Sequence, residues 1–291
     1  MKSKIIIPVA LFASFMILLA GCSRYTASEP MEVNIDAKSA IIVDIGDRAV
    51  LYEKNADIKF PPASTTKVMT AIIALENFSR ESEFVVSKKA IQVEPTIAGF
   101  RPGSAYKLKD LISAILVKSA NDAALVIAEN VAGGEKQFVE LMNKKARQIG
   151  MTNTHFESAS GLPTGRKDKQ YTTARDLAKM MLYATRYQII LEAMSVEEKY
   201  IFGSDQRRIR LKSHNRTLSK NANAPWGKTG YTKEARRTFV GADPSLTPKI
   251  VFAALKSEDL WNDIVILNDK GLQMYAERHR TIKERLGDGM T

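Results

Sequence analysis

The chain has 291 residues, 45% of them hydrophobic and 26% charged, an ordinary balance that excludes a mainly disordered or fibrous protein. The net charge of +11 suits an anionic partner. The basic side chains are scattered, however, with one modest concentration at 205–216, "DQRRIRLKSHNR". No interleaved aromatics or nucleic-acid module accompany them, so no nucleic-acid partner is expected.

At the N-terminus, Lys2 and Lys4 precede an apolar run from Ile5 to Ala20 that contains Pro8. That run is shorter than the roughly 20 residues a membrane span needs, and it reads as an export signal over residues 1–21. Leu19-Ala20-Gly21-Cys22 resembles the lipobox of bacterial lipoproteins. The resemblance implies cleavage before Cys22, lipid on its sulfur, and a membrane partner held through that lipid. Each buried CH₂ of such a chain contributes about 0.8 kcal/mol. Cys22 is the only cysteine, so no intramolecular disulfide can form. Residues 22–35 are polar and read as a tether.

Two β-prone runs, Ala40 to Ile45 and Ala49 to Tyr52, flank a turn at Gly46-Asp47 and read as a hairpin. A helix is predicted from Ser64 to Asn77. Val68, Met69, Ile72, Ile73 and Leu75 make it apolar on more than one side, as in a central helix. Ser104 to Lys107 reads as a surface connection. Two apolar helices follow, broken near Ser119, the second stopped by Gly133-Gly134. Residues 135–150 form an amphipathic helix with Phe138, Leu141, Met142 and Ile149 inward and Gly150 at its end. Thr173 stands three residues before Asp176, a capping pattern. "RRTFVGAD" and "KIVFAALK" read as paired strands, and a last helix starts near Glu258. Strands at both ends with helices between them predict an α+β fold. The expected architecture is an antiparallel sheet flanked by helices and carrying an inserted helical subdomain.

"PPASTTKVMT" puts Ser64 and Lys67 three residues apart at a helix start, hence on one face. A serine hydroxyl needs a base, and a lysine that is partly buried near a second cation can give up its proton to serve as one. Unpaired N–H groups at the helix tip favour a developing oxyanion. Ser119-Ala120-Asn121 and Lys228-Thr229-Gly230 follow in order. Taken singly, each has an ordinary structural role. Ser64, or Ser119 with Asn121, would cap a helix; Lys67 would reach solvent along its stem; Thr229-Gly230 would mark a turn. His155, His214 and His279 lack metal-ligand spacing and read as surface or packing residues, as Trp226 reads as packing. No metal or cofactor is called for.

The ordered set resembles the low-molecular-mass penicillin-binding proteins, the serine-type D-alanyl-D-alanine carboxypeptidases. "ILVKSANDAALVIAE", "FVELMNKKARQIGMTNTHFESASGLP", "YTTARDLAKMM" and "GKTGYTKEA" resemble further blocks of that family. The likeness implies a catalytic domain over residues 36–280, a tail at 281–291, peptidoglycan stem peptides as substrate, and β-lactams as covalent inhibitors. It implies that Ser64 attacks the carbonyl between two D-alanines, Lys67 takes its proton, and Ser119 relays a proton to the leaving amine. Asn121 would hold the substrate amide, Lys228 would supply charge, and Thr229 would bind the terminal carboxylate. Gly230 would leave room for substrate, and the Ser64 and Tyr231 N–H groups would form the oxyanion hole.

Two departures stand out. The residues after Gly230 are too few for the additional all-β domain of archetypal members. The family's carboxylate-binding arginine is missing before the last helix, where Leu260 and Trp261 stand. Lys256 is the nearest substitute, although a point charge is no bidentate fork. That departure keeps a D,D-endopeptidase, or a non-catalytic β-lactam- or wall-sensing lipoprotein, as alternatives. A β-lactamase reading is weaker. Glu157 lies near "SASGLP", but no E-x-x-x-N loop follows, and the second motif is not Ser-Asp-Asn. The expected location is the cell envelope, exported and lipid-anchored.

Overall fold

The computed structural model describes residues 32–165, 170–221 and 223–287. The predicted export signal at residues 1–21, Cys22 and most of the predicted tether lie outside the described residues. In chain order the elements begin with β1 (Ser39–Asp44) and β2 (Val50–Lys54). A 3₁₀ turn (Ala63–Thr66) leads into α1 (Lys67–Asn77), followed by β3 (Glu83–Val85) and β4 (Ala105–Lys107). Helices α2 (Leu108–Leu116), α3 (Asn121–Ala132), α4 (Glu135–Gln148), α5 (Ala174–Ala184) and α6 (Gln188–Ser195) come next. A hairpin of β5 (Glu198–Phe202) and β6 (Arg208–Lys212) precedes β7 (Trp226–Thr232), β8 (Arg236–Ala242), β9 (Ile250–Ser257) and α7 (Leu260–Gly287).

Five strands form an antiparallel sheet in the order β2-β1-β9-β8-β7, so chain ends that are distant in sequence meet at its centre. Alternation along the central strands explains the layering. Ile41, Val43, Val240, Ala242, Val251, Ala253 and Leu255 face the helical block. Ala40, Ile42, Phe239, Phe252 and Ala254 face Leu260, Ile264 and Leu267 of α7. Both faces are covered, which is why β1 and β9 are nearly continuous apolar runs. Gly271 lets α7 sit this close, because a Cβ there would lie 2.5 Å from Ile250 Cδ1. The α+β expectation, with helices inserted between strands of one sheet, holds.

α1 is the hub of the block, buried from Lys67 through Ala74 and packed on α2, α3, α4 and α5. Truncating a fully buried Met69 or Ile72 there to alanine costs about 2–5 kcal/mol. The predicted start of this helix shifts: Ser64 belongs to the 3₁₀ turn, and regular α-helix begins at Lys67. Ser104 to Lys107 is not a surface connection. It includes β4, paired with β3, and buries Tyr106 completely. Thr173 caps α5, its hydroxyl accepting from the Asp176 N–H at 3.1 Å. The last helix runs on through Gly287, so residues 281–287 continue it rather than starting a separate tail. No described helix is long and apolar enough to cross a membrane.

Candidate active site

The nucleophile candidate sits where a strained turn meets the tip of the most buried helix. Ala63, just before Ser64, has φ +49, a left-handed conformation that is costly for a residue with a side chain. The Pro62 carbonyl, accepting from the Thr65 and Thr238 hydroxyls at 2.7 and 3.2 Å, ties the turn down. Lys67 is fully buried, and its Nζ has three oxygen partners. These are Ser64 Oγ at 3.0 Å, Asn121 Oδ1 at 2.8 Å and the Ser160 carbonyl at 2.6 Å.

Those partners fit either protonation state, since an ammonium would donate to all three oxygens, and burial is what selects the neutral amine. Two are carbonyl oxygens, which only accept; the Ser64 hydroxyl alone can also donate. A neutral amine has two N–H groups and one lone pair. It satisfies all three contacts by donating to Asn121 and Ser160 and accepting from Ser64. Burial holds the Lys67 pKa well below the usual amine range, the neighbouring Lys228 cation lowers it further, and Asp122 opposes them. Burial also brings Lys228 down to about 7.

Asn121 opens α3, its N–H donating to the Thr96 carbonyl at 2.7 Å. The preceding Ser119 has φ +60, breaks α2 from α3, and borders the cleft. Among the described residues its hydroxyl makes no hydrogen bond to Lys67 or Lys228. The buried Lys228 Nζ donates instead to the Thr229 carbonyl at 2.5 Å. β7 is the sheet's edge strand, and Thr229, Gly230 and the exposed Tyr231 line the cleft.

Gly230 has a packing reason of its own. A Cβ there would lie 2.4 Å from Thr238 Oγ1 and 2.8 Å from the Ser64 nitrogen, so glycine lets β7 close against the turn that carries Ser64.

The sequence reading assigned no role to the 158–162 loop, yet this loop completes the site. Its Ser160 carbonyl holds Lys67, and its Ala159 carbonyl accepts from Thr70 at 2.6 Å. Gly161, at φ +78, is packed so tightly that a Cβ would stand 1.9 Å from the Ala63 carbonyl oxygen. The glycine in "SASGLP" was the available signal. Asp122 was missed as well. It accepts from the Ala98 and Gly99 N–H groups at 2.9 and 3.0 Å, pinning the loop that carries Pro95 and Thr96 over the cleft.

The cleft holds about 650 Å³ between the helical block and the edge strand. Its far wall follows β6, so His214, read as a surface or packing residue, is a cleft residue. His279 bonds Asp44 at 2.7 Å, and Trp226 packs against the core. Lys256 does not replace the missing arginine: its ammonium lies 5.3 Å from the Phe60 ring, and it is absent from the cleft wall.

The D-alanyl-D-alanine carboxypeptidase model of peptidase family S11 matches residues 24–252. The chain is 30% identical over 210 residues to the D-alanyl-D-alanine carboxypeptidase DacF of Bacillus subtilis, covering 70% of this chain but only 53% of that protein. It thus spans about half the length of that relative. A D-alanyl-D-alanine endopeptidase of Pseudomonas aeruginosa is 29% identical, with 82% of this chain and 78% of that protein aligned. The crystal structure of a D-alanyl-D-alanine carboxypeptidase from Mycobacterium tuberculosis superposes with a TM-score of 0.77 at 29% identity, covering 84% of this chain and 94% of the other. With sequence match, fold and motif order in agreement, the chain belongs to the S11 family of serine-type D-alanyl-D-alanine carboxypeptidases.

Proposed function

We propose that the protein hydrolyses the bond between the two terminal D-alanines of peptidoglycan stem peptides through an acyl-enzyme on Ser64. The observation that carries the reading is the Lys67 amine, fully buried and 3.0 Å from the Ser64 hydroxyl, with its other two contacts made to the Asn121 and Ser160 oxygens. Lys67 takes the hydroxyl proton as Ser64 Oγ bonds to the carbonyl carbon. Charge then builds on the carbonyl oxygen, which lies in this reading beside the Ser64 and Tyr231 N–H groups. Such donors contribute about 3–4 kcal/mol each where they have been removed elsewhere. Ser119 passes the proton to the departing amine, Asn121 holds the substrate amide, and Thr229 meets the carboxylate. Burial keeps Lys67 neutral, and Lys228 in its protonated form adds positive charge that lowers the Lys67 pKa further. Water attacks the ester with the same base, freeing the shortened peptide and Ser64.

β-Lactams would acylate Ser64 by the same attack. Purified protein should release D-alanine from a peptide ending D-Ala-D-Ala and Ser64→Ala should not; release by Ser64→Ala would refute the assignment. The endopeptidase named among the relatives makes cross-linked peptides the second substrate to assay. Cleavage of those alone would select that reading.

We also propose export and anchoring in a bacterial cell envelope through lipid on Cys22, which lies outside the described residues. The lipobox-like Leu19-Ala20-Gly21-Cys22 supports this. Radiolabelled palmitate should enter the wild type and not Cys22→Ala, and equal labelling would exclude the anchor.

A further inference from the structure

The segment before α7 has no arginine, and Lys256 is turned away, yet the cleft has a guanidinium at that end. Arg237 is the second residue of β8, opposite Tyr231 on β7 and Ser257 on β9. Residues directly opposite across antiparallel strands project to the same face, and so do residues two apart along a strand. Arg237 therefore shares a face with Tyr231 and Thr229, and all three line the cleft.

Its Nη1 donates to the Glu258 carbonyl at 2.9 Å, which anchors one corner of the fork at the cleft wall. Among the described residues no carboxylate lies within ion-pair distance of Arg237. Its neighbour Arg236 is paired, with Nε 3.3 Å from Glu258 Oε1. A half-buried guanidinium has been brought to the wall of a cleft, tethered through a neutral carbonyl, and left without a counter-ion. The remaining N–H groups match the planar geometry of a carboxylate.

We propose that Arg237, with the Thr229 hydroxyl, binds the free carboxylate of the leaving residue, replacing from β8 the arginine absent before α7. The assignment rests on the acyl-transfer reading of the cleft. It makes the enzyme selective for leaving residues with a free carboxylate, and the selectivity persists wherever the fold survives and that carboxylate is ionised, because arginine does not deprotonate.

Acylation by benzylpenicillin and by its methyl ester, which lacks the charge, tests this directly. The wild type should prefer the acid. Arg237→Gln should slow acylation by the acid about 10- to 100-fold, the value of a hydrogen bond to a charged group, and leave the ester rate unchanged. Arg237→Lys should restore only part of the preference, and Arg236→Gln should retain it in full. Thermal melting of each variant separates loss of fold from loss of selectivity. A wild type without preference, an Arg237→Gln protein that keeps it, or an equal slowing of acid and ester would overturn the proposal. D-alanine release from a D-Ala-D-Ala peptide reports separately on the peptidase reading. Its absence, with the penicillin preference intact, would sink that reading and leave Arg237's role standing.

Discussion

Gly161→Ala tests whether the 158–162 loop is held against the Ser64 turn as tightly as the geometry states. Two costs add at this position. At φ +78 an alanine occupies left-handed space at about 1–2 kcal/mol. Its Cβ would also meet the Ala63 carbonyl oxygen at 1.9 Å and Thr66 Oγ1 at 2.8 Å. The first is a backbone atom of the strained turn, so the loop must retreat by more than an ångström. Overpacking of this kind costs about 1–3 kcal/mol, which brings the total to about 2–5 kcal/mol.

Gly103→Ala supplies the reference: φ is +83 there and nothing lies within 4 Å, so only the backbone cost applies. Urea unfolding of both variants therefore isolates the contact. The retreating loop also carries the Ser160 carbonyl away from Lys67. Penicillin acylation should slow by about 10-fold or more in Gly161→Ala alone. Equal stability of the two variants, with acylation at the wild-type rate in both, would refute the close approach.

Replacing Lys228 by Met removes a cation that depresses the Lys67 pKa, so the rising limb of acylation against pH should move to higher pH; an unmoved limb would separate the two lysines. The depressed Lys228 pKa, about 7 against 10.5, carries a stability consequence. The unfolded chain binds the proton more tightly, so this residue's cost is full below pH 7 and is relieved as pH rises toward 10.5. Urea midpoints at pH 6 and 9 should differ less in Lys228→Met than in the wild type, and an identical difference would contradict the burial. Thr173→Ala removes the α5 cap and should cost about 1 kcal/mol in unfolding free energy, with acylation intact.

The parts of the site that sequence reading finds are those in which side-chain identity does the work. Ser64 and Lys67 are readable from spacing, Asn121 and Lys228 from motif order, and the cap at Thr173 from its partner three residues on. What stays hidden depends on backbone. Ser160 contributes a carbonyl that any residue could supply. The left-handed turns at Ala63 and Ser119 are imposed by packing, because neither residue type favours φ above zero. Arg237 reaches the cleft only because β8 lies between β7 and β9, a neighbourhood that chain order does not display. One signal was readable and passed over. Arg208-Ile209-Arg210-Leu211-Lys212 alternates strictly, with Ile209 and Leu211 buried, and it is strand β6 rather than a mere basic cluster.

The central claim is that Lys67 is an uncharged amine taking the Ser64 proton, and the pH dependence of wild-type acylation by benzylpenicillin tests it most directly. Half-maximal acylation should fall well below the ordinary lysine range, with the adduct on the peptide containing Ser64. A rate that keeps climbing to about pH 10.4, where an unperturbed lysine gives up its proton, would contradict it.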